Sequence, residues 1–145
     1  MVRMAWYDTA QLSIIEKARK ESKWFTAIAL SATQLERHGY LEIKNYLKSL
    51  KVDSELVDKI LKRASLSKIA DYLLTIRKVD NKEYKTIMQI NDERIKFLHR
   101  REERAEGEKF LRGAEAKKTY DPLIEEAIRI LKEKFSVERL YVGKG

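Results

Sequence analysis

The chain has 145 residues and a mass of 17.1 kDa, one domain's worth of sequence with enough apolar content to bury a core. Hydrophobic residues make up 43% and charged residues 37%, which fits neither a membrane-spanning nor a disordered chain well, and five Gly with one Pro argue against a turn-rich all-β protein. With no Cys and only His38 and His99, disulfides, thiolate metal sites and cysteine nucleophiles are excluded together; any metal would rest on carboxylates, and neither metal nor cofactor is expected.

The net charge is +8 and the pI near 9.6. Its distribution is uneven: residues 1–43 carry +1, residues 44–78 carry +5 and residues 79–145 carry +2. Such a surplus speeds encounter with a polyanion and strengthens phosphate contacts at low salt. A Lys- and Glu-rich composition with three Asn and three Gln is equally the surface chemistry of thermophile proteins. No run of about 18 apolar residues occurs. Met1 to Ala10 includes Arg3 and Asp8 and no apolar stretch of signal length, so a cytoplasmic protein without a membrane partner is expected.

Asp8 or Thr9 is placed to cap a first helix marked by Leu12, Ile14, Ile15 and Ala18. Trp24, Ile28, Ala32 and Leu35 recur at steps of four and three, one face of a helix that Phe25, Ala27 and Ala29 widen until most sides are apolar. This run has the pattern to continue the first helix unbroken, and His38-Gly39 is its expected stop, since Gly ends helices cheaply. A further helix reads Ile43, Tyr46, Leu47 and Leu50, with Lys44, Lys48 and Lys51 opposite. Asp53 caps the next, through Leu56, Val57, Ile60 and Leu61, and Ser65 or Ser67 restarts it for Leu66, Ile69, Leu73, Leu74 and Ile76. Asp80-Asn81-Lys82-Glu83 has the spacing of a capping box and opens a long helix through Tyr84, Ile87, Met88, Asn91, Ile95 and Leu98. Arg100 to Arg112, with Gly107 and then Gly113, reads as a fraying end or surface loop. Asp121-Pro122 reads as the start of the last helix, through Leu123, Ile124, Ala127, Ile128, Leu131 and Phe135, and 137–145 as a tail. About five amphipathic helices on short loops make an all-α, up-and-down antiparallel bundle, a single domain over 1–145 with its core at roughly 8–136.

The standard catalytic signatures are absent: no Gly-rich phosphate loop, no H-E-x-x-H and no G-x-S-x-G. Neither histidine has a Glu three residues before it, which argues against a carboxylate-bridged di-metal bundle. One stretch stands out, Asn91-Asp92-Glu93-Arg94-Ile95-Lys96-Phe97-Leu98-His99-Arg100-Arg101. Arg94 and His99 fall about 140° apart on a regular helix, flanking a face without sharing it. Structural roles are open to both: an imidazole near a helix C-terminus, and an Arg paired with a neighbouring helix or with Asn91 or Glu93.

The Arg, four residues, then His, late in the penultimate long helix, resembles the HEPN family of small all-α bundles. The resemblance extends from Trp24 to Phe135 in order and spacing. It takes in Gln34-Leu35-Glu36, Ser67-Lys68-Ile69-Ala70-Asp71-Tyr72-Leu73, the Arg94–His99 motif, a polar insert and the closing helix. It implies a metal-independent endoribonuclease, of toxin–antitoxin or defence type, whose Arg and His converge at a homodimer interface. The implied catalytic residues are Arg94, neutralising phosphoryl charge, and His99, moving a proton as the RNA 2′-OH attacks phosphorus. Asn91, Lys96, Arg100 and Arg101 are the implied substrate-binding residues, the three charged ones each with plain solvated charge as the alternative. The implied partners are a second copy, RNA, and a cognate antitoxin or nucleotidyltransferase.

Two departures from the family pattern stand in this stretch. Ile95 occupies the place after the Arg where Asn or Asp is common, with Asn91, one turn earlier, as a substitute. Arg101 occupies the place where nucleotidyltransferase-regulated toxins carry Tyr. A helical module of the same kind that binds RNA, nucleotide or a partner protein without catalysis is the alternative. For dimerisation the expected surface is an apolar face on the Tyr84–Leu98 helix.

Overall fold

The computed structural model describes the backbone of residues 12–103 and 113–135, and their side chains except those of 99–103. These residues form six helices and no strand. They are α1 (12–20), α2 (Trp24–Ser49), α3 (Ser54–Leu61), α4 (Leu66–Thr75), α5 (Asn81–Glu103) and α6 (Gly113–Glu133). The expected cap at Asp8 or Thr9, the loop to Arg112 beyond Glu103 and the 137–145 tail lie outside the described residues.

Several helix starts follow directly from sequence chemistry. Asp53 accepts from Glu55 N, and Ser65 from Lys68 N at 3.3 Å. The box at α5 closes in both directions: Glu83 N donates to Asp80 Oδ1 at 2.7 Å and Asp80 N donates to Glu83 Oε1 at 2.8 Å.

Helix ends are made differently from expectation. Ser22, Lys51, Arg63 and Arg77 all adopt φ near +60° (58° to 62°). At Lys51 the chain closes a Schellman-type stop, Lys51 N bonding Lys48 O at 2.9 Å and Val52 N bonding Leu47 O at 3.1 Å. Arg77 and Lys78 do the same on Leu74 O and Leu73 O. Ser22 and Lys23, bonding Arg19 O and Ala18 O, separate α1 from α2, so the first two helices are not one run.

The Gly expected to stop α2 lies inside it. α2 passes through His38-Gly39 to Ser49, because Gly39 is a crossing point: a Cβ there would stand 2.6 Å from Ile69 Cγ2 and 3.1 Å from Leu73 Cδ1 of α4. The expected start at Asp121-Pro122 also gives way. α6 begins at Gly113 and carries Pro122 in its interior, at a cost of about 3 kcal/mol for the lost hydrogen bond and ring clash. Burial of Ala116 and Tyr120 in the preceding turns offsets this, with Tyr120 packed on Phe97 (ring centroids 5.3 Å apart) and on Trp24. Asp121 serves as an ion-pair partner of Arg19, at 2.6 Å.

α2 is the central helix, packed against α3, α4, α5 and α6. Phe25 meets Phe97 and Glu36 meets Arg94, so α5 runs antiparallel to α2. Glu83 meets Arg129 while Phe97 meets Tyr120, so α6 is antiparallel to α5. α3 folds back along α2 and packs on no other helix from α2 to α6. It buries Val57 and Leu61 there, leaving Leu56 and Ile60 about half exposed. The result is an all-α, up-and-down bundle whose core runs from Leu12 to Phe135.

Candidate functional site

The site is built on the second half of α5. Its register is set at both ends of the described part. At the start, Glu83 is both the capping-box acceptor and a buried carboxylate bonded to Arg129 of α6 at 2.7 Å. Arg129 also grips Glu126, which raises the guanidinium's pKa and lowers that of Glu126, the Arg–Glu hydrogen bond being the largest cause in each case. Further along, Phe97 is wedged edge-on against Phe25 and tilted against Tyr120, each with ring centroids 5.3 Å apart. The residues around Phe97 therefore have one available rotation about the helix axis.

That rotation turns Arg94 toward α2. Its Nη2 donates to Asn91 Oδ1 at 3.0 Å, and its Nη1 lies 3.5 Å from Glu36 Oε2. The Arg94 side chain is 25% exposed and Asn91 is buried, so the guanidinium sits at the rim of the α2–α5 seam. Lys96 leans on Glu93 at 3.5 Å and remains largely exposed. The backbone of His99, Arg100 and Arg101 continues α5, and their side chains lie outside the described residues.

Helical geometry places Leu98 about 40° and Ile95 about 100° round from Arg94, on the arc that ends at position 99. They are the large exposed apolar residues of α5, at 50% and 42%. The apolar face expected over Tyr84–Leu98 is narrower than its sequence suggests. Ile87, Ile90 and Phe97 are buried, Tyr84 and Met88 pack partly on the core, and only Ile95 and Leu98 stay open.

In the sequence Glu36 stands only within a helical succession; its pairing with Arg94 comes from the fold. The available signal was an acidic residue flanking the apolar stripe Ile28–Ala32–Leu35. The basic excess lies elsewhere. Lys48, Lys51, Lys59, Lys62 and Arg63 are exposed on the end of α2, on α3 and in their turns, while Lys44 pairs with Asp58 and Lys78 with Glu42. Two surface clefts flank α1, and neither is lined by Arg94, Asn91 or Glu36. Among the described residues no three His, Asp or Glu side chains converge as a metal site would require. No helix of the described residues is long and apolar enough to cross a membrane.

Fold and site together define an all-α bundle with an arginine poised at a helix seam. No family model, curated protein or solved structure matches the chain. The functional reading rests on the residues themselves.

Proposed function

We propose that this chain is a HEPN-type metal-independent endoribonuclease of the cytoplasm, of toxin–antitoxin or defence type, acting as a homodimer. Arg94 and His99 of the two copies line its cleft. The observation that carries the reading is the exposed pair Ile95 and Leu98 on the arc between Arg94 and position 99. A two-fold axis over that strip buries it against itself and brings flanking groups of both helices to one cleft. Asn91 supports the same reading, since it supplies the oxygen that orients Arg94 where Ile95 cannot.

In the proposed reaction the 2′-OH of RNA attacks the adjacent phosphorus and the 5′-oxygen of the next nucleotide leaves. His99 takes or returns the proton, and Arg94 stabilises the charge on the non-bridging oxygens. Lys96, Arg100 and Arg101 hold neighbouring phosphates, and a cognate antitoxin covers the cleft. A non-catalytic module binding RNA, nucleotide or a protein is the second reading. It is favoured by one observation: Arg94 is already answered by Glu36 and Asn91.

Sedimentation at micromolar concentration tests the interface. The wild type is expected to be a dimer, and Ile95→Asp with Leu98→Asp a folded monomer without nuclease activity. A monomeric wild type removes the basis of a composite site.

A further inference from the structure

Arg94 meets a carboxylate before it meets any ligand. Glu36 reaches it from α2, a different helix, while Asn91 holds the guanidinium from its own. The two roles are separate: a neutral oxygen at 3.0 Å fixes orientation, and an anionic oxygen at 3.5 Å answers charge. At that length, between side chains 25% and 38% exposed, the ion pair is longer than a charge-assisted hydrogen bond of about 2.7–2.9 Å and is open to exchange with solvent and solutes.

We infer that Glu36 is a built-in competitor at Arg94 that reduces the charge advantage a doubly charged phosphate monoester would otherwise hold over a singly charged phosphodiester. The inference rests on the reading of Arg94 as a phosphate-holding group and adds what sets the selectivity of that group. An arginine alone attracts a dianion with twice the Coulomb energy of a monoanion. The Arg94–Glu36 pair is together close to neutral, so from this pair the second charge of a terminal phosphate, a mononucleotide or free phosphate gains little. An internal phosphodiester, which carries one charge, loses least by this arrangement. Glu36 thus suits the site to the interior of a nucleic-acid chain and against its ends and breakdown products.

The magnitude follows from Coulomb's law. A like charge removed from roughly 6 Å away in a water-like dielectric strengthens monoanion binding about threefold and dianion binding about tenfold, the square of the first factor. This relation between the two factors is the signature of a charge effect. A change in the shape of the site does not produce it.

The test uses the full chain and two probes without a 2′-hydroxyl, so that neither is cleaved. These are d(TpT), with one phosphodiester charge, and thymidine 3′-monophosphate at pH 8, with two. Binding is read from the Arg94 Nε–Hε resonance in wild type, Glu36→Gln, and Glu36→Gln with Arg94→Gln, the last by fluorescence competition against labelled d(TpT). Glu36→Gln is expected to tighten d(TpT) about threefold and the monophosphate about tenfold, with the gain lost in the double variant. Equal tightening of both probes, no change, or weaker binding overturns the inference. RNA cleavage by the wild type without the squared relation leaves the ribonuclease reading standing and removes this one. The squared relation without cleavage does the reverse. No Arg94 response to either probe in the wild type or in Glu36→Gln removes both.

Discussion

Replacing Gly39 by Ala separates two accounts of this residue, because they differ in sign. In the interior of an isolated helix the change stabilises by about 1 kcal/mol, since Ala has the better helix propensity. At the α2–α4 crossing the new Cβ would stand 2.6 Å from Ile69 Cγ2 and 3.1 Å from Leu73 Cδ1. Ordinary carbon contacts lie at about 3.5–4.0 Å, so the helices must separate by roughly 1 Å. Leu73 can turn its tip, but Ile69 is fully buried and β-branched, with its χ1 held by the helix. Overpacking of this kind costs about 1–3 kcal/mol. Set against the propensity gain of about 1 kcal/mol, Gly39→Ala should destabilise by up to about 2 kcal/mol. For a chain of this size that lowers Tm by up to roughly 8 °C in thermal denaturation followed by circular dichroism. A double-mutant cycle with Ile69→Ala should show a favourable coupling of about 1–2 kcal/mol, because the smaller residue makes room for the new methyl. A raised Tm for Gly39→Ala alone would refute the close crossing.

Two further predictions concern stability. Lys51, Arg63 and Arg77 each hold a left-handed backbone that glycine adopts without strain, so Lys51→Gly, Arg63→Gly and Arg77→Gly should each stabilise by about 0.5–1 kcal/mol in urea titration. Unchanged midpoints would place no strain at these turns. For pH, the hydrogen bond from Arg19 holds Asp121 below its ordinary pKa, and that from Arg129 does the same for Glu126. A lowered folded-state pKa stabilises the protein above the ordinary carboxylate value of about 4, and that contribution is lost as pH falls through the folded value. Stability should therefore drop below about pH 4, less steeply in Asp121→Asn and Glu126→Gln. An identical slope in those variants would contradict the pairing.

Much of the bundle was legible because its signals are local. The box Asp80–Glu83, the caps Asp53 and Ser65, and the apolar steps from Trp24 to Leu35 each act within a turn or two of helix. What escaped the sequence depends on a partner helix. Gly39 has the local character of a stop and becomes a crossing only because α4 lies against it. Pro122 has the character of a start, and becomes interior once Ala116 and Tyr120 find the core. Leu56 and Ile60 carry the same apolar mark as Val57 and Leu61, but among helices α2 to α6 only α2 packs against α3. The stops at Lys51 and Arg77 use residues that no propensity rule selects. At the site, the position of Arg94 late in a long helix was readable, and so was Asn91 one turn before it. The Glu36 contact was not, since it joins residues 58 positions apart through the rotation that Phe97 imposes.

The central claim, that Arg94 and His99 form a ribonuclease centre needing no metal, is tested by cleavage of a labelled mixed-sequence RNA in EDTA. The chains compared are wild type, Arg94→Ala and His99→Ala. The account predicts cleavage by the wild type, products ending in 2′,3′-cyclic phosphate, and loss of activity by a hundredfold or more in each variant, on the order of one catalytic group's contribution. An inactive wild type, or three chains that cleave equally, would contradict it.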